Sequence, residues 1–94
     1  MKNINDLLKK EDVLVVDVRS AWEHNEGHVK NALNIPLDEI PGRLNEFRKR
    51  KGPFILYCRS GHRSGMAANI LRQAGVTNVV NGGSIIDMQK ITLN

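Results

Sequence analysis

Phe54-Ile55-Leu56-Tyr57-Cys58-Arg59-Ser60-Gly61-His62-Arg63-Ser64-Gly65 is the stretch whose reading decides the fold. Four consecutive apolar residues without helical spacing predict a strand covered on both faces, as in a parallel sheet. A glycine-bearing polar loop follows. Beyond it Met66, Ala67, Ile70, Leu71 and Ala74 predict a helix with one apolar stripe, and Gly75 stands where a left-handed cap residue belongs. Strand, loop and helix in that order make a βα unit, with Cys58 at the carboxyl end of the strand. Open α/β sheets form their ligand crevices at that end.

Outward from this unit the pattern repeats. Val13-Leu14-Val15-Val16-Asp17-Val18 is a second β-branched run, and Ala32-Leu33-Asn34-Ile35 a shorter one closed by Pro36. Ile4, Leu7 and Leu8 at i, i+3, i+4 predict an opening helix capped by Asn3 or Asn5. A turn and a short helical piece are expected within the polar stretch from Arg19 to Lys30. A helix is expected from about Pro41 through Leu44 and Phe47 to the basic run Arg48-Lys49-Arg50-Lys51, ended by Gly52-Pro53. Val76-Thr77-Asn78-Val79-Val80 predicts a fourth strand, with Gly82-Gly83 turning the chain into an ending of no strong pattern. Alternating strands and helices give an α/β class with a mainly parallel sheet. Trp22, Phe47 and Met66 are expected in or beside the core.

A chain of 94 residues, 40% apolar and 26% charged, suits one domain over residues 1–94 and excludes the composition of disorder. No apolar run is long enough for a membrane span, and the amino end lacks a secretory pattern, so a soluble cytoplasmic protein without membrane contact is expected. The formal charge of +4 helps to recruit anions. With two Phe, one Trp and one Tyr there is no stacking platform for bases, and no nucleic-acid partner is expected. The Arg48–Lys51 run suits the carboxyl end of a helix dipole.

Cys58 is the single cysteine, which excludes an internal disulfide and a multi-thiolate metal site. It is either an inert buried thiol or a reactive one. Gly61 and Gly65 allow the loop to turn successive N–H groups inward at a helix N-terminus, and Arg59, His62 and Arg63 add positive charge. Both favour the thiolate and hence a reactive Cys58. Asp17 and Arg19 are read as structural rather than as an acid–base pair, with Asp17 at a strand end satisfying local backbone donors; His24 has no partner recognisable in the sequence. Cys58 and His62 supply too few ligands for a metal, so no metal or other cofactor is expected.

Asp17-Val18-Arg19-Ser20, Glu23, Gly27-His28-Val29, Ala32-Leu33-Asn34-Ile35-Pro36 and Tyr57-Cys58-Arg59-Ser60-Gly61-His62-Arg63-Ser64 together resemble a single-domain rhodanese, a thiosulfate sulfurtransferase, over nearly the whole chain. The resemblance implies a three-layer α/β fold with helices on both sides of the sheet. It implies Cys58 as nucleophile, carrying a sulfane sulfur as a persulfide from a small anionic donor to cyanide, a small thiol or a protein thiol. It also implies Arg59, Ser60, Gly61, His62 and Arg63 as the substrate cradle, Arg19 as the partner of a carboxylate, and His28 as part of a structural Gly-His-Val segment.

Cysteine phosphatases of related fold resemble this loop but place five residues between Cys and Arg, where this chain has four. Phosphatase or arsenate-reductase chemistry is the lesser alternative. A persulfide carrier docking on one protein partner uses the same residues as the enzyme; a regulatory module without chemistry has no need of the Cys58 loop. One departure from the family stands out: Gly82-Gly83 is followed by Ser84-Ile85-Ile86-Asp87-Met88, where many rhodaneses carry an aromatic residue. The closing segment is therefore expected to pack differently or to be shorter.

Overall fold

The computed structural model describes residues 3–92. Four strands, β1 (Leu14–Asp17), β2 (Leu33–Asn34), β3 (Phe54–Cys58) and β4 (Val79–Ser84), form one all-parallel sheet in the order β2-β1-β3-β4. The helices are α1 (Ile4–Leu8), α2 (Ala21–Glu26), α3 (Leu44–Arg48), α4 (His62–Gln73) and α5 (Ile85–Thr92), with a 3-10 segment over Leu37–Arg43. This is the α/β three-layer architecture expected from the sequence.

The central strand shows why its apolar run is continuous. All five residues of β3 are at 0% exposure. Phe54, Leu56 and Cys58 face one core, with Ile40, Phe47, Ala67, Ala68 and Leu71; Ile55 and Tyr57 face the other, with Leu7 and Met88. Alternate side chains of a strand point to opposite faces, so a strand covered on both sides has no polar position to spare.

Caps fix several helix ends as the sequence indicates. Asn3 accepts the Asp6 N–H at 2.9 Å at the start of α1. Gly75 has φ +94°, and Val76 N–H reaches back to Leu71 O at 2.9 Å to close α4.

Other elements differ from expectation. The buried stripe of α4 is Ser64, Ala67, Ala68 and Leu71, while Met66 is 47% exposed. Small residues let the helix approach the sheet closely, and that sets its rotation over the hydrophobicity of Met66. Trp22 is 67% exposed and belongs to no core. The helix expected from Pro41 is instead the 3-10 segment containing Pro41, followed by five α-helical residues.

The fourth strand begins three residues later than expected and runs through Gly82-Gly83, so the glycine pair is no turn. The register passes from Leu56↔Asn81 to Tyr57↔Gly83, leaving Gly82 as a bulged extra residue. A Cβ on Gly82 would lie 2.8 Å from Met88 Sδ, 2.9 Å from Ile55 Cγ2 and 3.2 Å from Leu56 O. Any side chain there forces Met88, Ile55 or the backbone to shift. The patternless ending is α5, a helix of eight residues whose Met88 plugs the second core at 0% exposure.

Candidate active site

The carboxyl end of β3 delivers Cys58 to the base of the 59–61 loop, and the loop turns back over it. Gly61 adopts φ +94°, a conformation costly for any residue with a Cβ, and a Cβ here would also come 3.3 Å from Gly83 Cα. The turn aims N–H groups at the sulfur: Gly61 N donates to Cys58 Sγ at 3.0 Å and Ser64 N at 3.4 Å, with Ser64 Oγ also 3.4 Å away. Burial by itself pushes the Cys58 thiol up. Hydrogen bonds from Ser64 and from the backbone N–H groups of Ser60 and Gly61 outweigh it and hold the thiol below its ordinary range. The direction is the expected one, and its leading causes are the hydrogen bonds of the cradle, one of the two contributions expected.

The charged residues of the loop divide into two groups. Arg63 is clamped to Glu23 of α2, NH1 to Oε1 at 2.7 Å and NH2 to Oε2 at 3.0 Å. Glu23 Oε1 also accepts Ser20 N–H at 3.1 Å and Ser20 Oγ–H at 2.9 Å, so one carboxylate caps α2 and ties it to the loop. The Arg63 guanidinium holds the Glu23 carboxyl down to about 2 from its usual 4.5. Arg59, Ser60 and His62 stand exposed at the loop crest, and Arg59 makes no ion pair among the described residues.

Beneath the α2 end lies a second polar cluster. Buried Asp17 accepts from Arg19 Nε at 2.9 Å, from Arg19 NH2 at 2.8 Å and from Arg19 N at 2.9 Å. His24 Nδ1 lies 3.0 Å from the same carboxylate, and Arg19 NH2 also donates to Gly27 O at 2.6 Å. Burial alone would raise the Asp17 carboxyl, but Arg19 and His24 together keep it low. Asp17 and Arg19 are thus mutually satisfied and form a structural pair. His28 is exposed, stacks on His24 at 3.6 Å and bonds its carbonyl at 2.8 Å.

Four residues of this region carry no sequence expectation as site groups or partners: Ser64, Asn81, Glu23 as the partner of Arg63, and His24 as the partner of Asp17. Ser64 directly after Arg63 was the one local signal, because an N-terminal turn places its N–H beside Cys58. The others meet the site only through tertiary contacts.

Open space lies elsewhere. A cavity of about 560 Å³ lined by Leu7, Lys10, Lys51, Pro53 and Val80 opens at the amino ends of β3 and β4, opposite Cys58. Among the described residues no group of three or more His, Cys, Asp or Glu is placed to hold a metal. No described helix is long and apolar enough to cross a membrane.

This fold, with one cysteine in an N–H-lined loop between a parallel strand and a helix, defines a class that comparison with known proteins makes specific. The rhodanese-like domain family matches residues 1–84, and the chain belongs to that family. It is 45% identical over 67 residues to the uncharacterized protein YqhL of Bacillus subtilis (strain 168), covering 71% of this chain and 52% of that one. The chain thus spans about half the length of that relative. A protein named sulfurtransferase from Allochromatium vinosum is 42% identical over 81 residues, covering 84% of this chain and 75% of that protein. Among solved structures, a rhodanese with anions from E. coli superposes with a TM-score of 0.73 at 36% identity, covering 79% of this chain and 88% of that one.

Proposed function

We propose that this protein is a sulfurtransferase that moves a sulfane sulfur from thiosulfate, or a similar anionic donor, through a Cys58 persulfide to cyanide or a thiol. The observation that carries this reading is the convergence of Gly61 N–H, Ser64 N–H and Ser64 Oγ on Cys58 Sγ. The Cys58 thiolate attacks the outer sulfur of thiosulfate, forming the S–S bond of the persulfide; the bond to the sulfonate sulfur breaks and sulfite leaves with its electron pair. Cyanide or a thiolate then takes the outer sulfur and restores the Cys58 thiolate. No net oxidant, metal or second cysteine is needed.

Two features weigh against an oxyanion ester as substrate. Arg63 is engaged with Glu23 and is not free to grip a phosphoryl group in bidentate fashion. Cys58 has no exposure, which suits the addition of one sulfur atom better than attack on a bulky tetrahedral centre. Exposed Arg59, with His62 and the loop N–H groups, is then the group that meets the donor's negative charge. A lone reactive thiol also fits a reducing cytoplasm.

The test is steady-state thiocyanate release from thiosulfate and cyanide, beside release of phosphate from an aryl phosphate. Turnover in the first, abolished by Cys58→Ala, supports the reading; turnover only in the second refutes it.

One observation favours a protein thiol as acceptor. The large apolar side chains exposed among the described residues are Trp22, Met66 and Ile86. Each lies within the first five residues of α2, α4 or α5, the helices that leave the carboxyl end of the sheet where Cys58 sits. Apolar surface around a reacting thiol suits a docked protein. On that reading Cys58 loads stoichiometrically and discharges to a protein thiol faster than to cyanide.

A further inference from the structure

Ser64 stands between Cys58 and a residue that neither the loop sequence nor the strand pattern singles out. Its Oγ lies 3.4 Å from Cys58 Sγ and 2.7 Å from Asn81 Oδ1. A hydroxyl carries one proton, so it can donate to one of these neighbours at a time. Which neighbour receives it depends on which way the Asn81 amide faces.

Backbone groups settle that orientation. Asn81 Oδ1 accepts Gly83 N–H at 2.9 Å, and Asn81 Nδ2 donates to Gly61 O at 3.0 Å. A flipped amide would set NH2 against N–H and oxygen against oxygen, losing both bonds. The oxygen therefore faces Ser64, and an amide oxygen only accepts. The Ser64 proton is committed to Asn81, and toward Cys58 the hydroxyl presents lone pairs, which suit a thiol that donates S–H and not a thiolate. The Gly82 bulge holds Asn81 in this place by advancing β4 one residue against β3.

We propose that Asn81 is a positioning residue for Cys58: it draws the Ser64 proton away from Sγ in the resting thiol and releases it when the hydroxyl turns to the charged sulfur. Ser64 is then a two-position donor. It points to Asn81 while Cys58 is neutral, and to sulfur once Cys58 is ionised or carries a persulfide.

The proposal rests on the reading of Cys58 as the reacting thiol, but its test needs no sulfur donor. The measurement is the pH titration of the Cys58 thiolate by its ultraviolet absorbance in the full chain, with Cys58→Ala as blank. Ser64→Ala is introduced alone, with Asn81→Ala, and with Asn81→Asp, which keeps an acceptor facing Ser64. The other charged or titratable groups around the sulfur are Arg59 in the loop, His62 and Arg63 at the start of α4 with Glu23 of α2, Asp17 at the end of β1 with Arg19, and Asp87 of α5 facing Gly83. All are common to every arm.

With Asn81 or Asn81→Asp present, the hydroxyl gives up its bond to that acceptor when it turns to the thiolate, so only the difference between the two bonds remains and Ser64→Ala is expected to lower the Cys58 acid constant by less than about threefold. Added to Asn81→Ala, where the hydroxyl is free to donate to the thiolate, it is expected to lower the constant by about tenfold, the worth of one hydrogen bond to a charged group. Equal effects in all three backgrounds overturn the proposal. If Asn81→Ala does not fold, Asn81→Leu, which keeps the side-chain volume without an acceptor, takes its place. A chain that titrates as expected yet accepts no sulfur refutes the role of Cys58 and leaves this proposal standing.

Discussion

Replacing Glu23 by Gln removes the charge that joins α2 to the cysteine loop while keeping an oxygen for Ser20. Lowering the Glu23 carboxyl from 4.5 to about 2 would correspond to about 3 kcal/mol, shared between Arg63 and Ser20, if the site were fully shielded. It is not: the Glu23 side chain is 12% exposed and Arg63 is 34% exposed. Solvent screening on the arginine side reduces the expected loss to about 1–2 kcal/mol at pH 7. In a domain of this size that lowers Tm by about 4–16 °C.

The pH dependence follows from the direction of the shift. A carboxyl held low in the folded protein stabilises it fully above its unfolded value, and the contribution fades as pH falls toward the folded value. The gap between wild type and Glu23→Gln is therefore expected to be constant from pH 7 to about 5 and to shrink between 4.5 and about 2. Urea unfolding followed by circular dichroism at pH 7, 5, 4 and 3 reads this gap. A gap that is absent at pH 7, or that stays the same down to pH 3, refutes the reasoning.

Three other substitutions probe separate parts of the account. Gly82→Ala drives a Cβ into Ile55, Met88 and the Leu56 carbonyl and is expected to cost at least about 2 kcal/mol in urea unfolding. Tyr57→Phe strips the buried Val29 N–H of its acceptor, 3.0 Å away, and is expected to cost about 1–2 kcal/mol by the same measurement. Trp22→Ser, at an exposed position, is expected to leave stability within about 0.5 kcal/mol and thiocyanate release unchanged, while slowing discharge to a protein thiol.

The parts of this molecule legible in its sequence are those set by local chemistry. β3 and the Cys58 loop could be read because a fully buried strand admits no polar residue and because Gly61 must take a left-handed conformation. The structural role of Asp17 is legible because a carboxylate at a strand end meets local backbone donors, here the Arg19 N–H; that Arg19 pairs with a carboxylate comes with the family resemblance, and the structure makes that carboxylate Asp17. The rotation of α4 was not: Met66 and Ala67 are neighbours on the helix, and closeness to the sheet, a tertiary property, decides which is buried. Gly82-Gly83 reads as a turn because bulges and turns both select glycine; the close approach of Ile55 and Met88 that requires Gly82 comes from other elements. Asn81 is one polar residue of a strand that also ends in Ser84, and its link to Ser64 spans 17 residues.

The central claim is that Cys58 carries sulfur, and the most direct measurement is the intact mass of the reduced chain before and after brief exposure to thiosulfate, followed by cyanide. A gain of one sulfur atom is expected on the wild type and none on Cys58→Ala, with cyanide removing it as thiocyanate. A gain on both proteins, or none on the wild type with thiosulfate and with a persulfide donor alike, contradicts it.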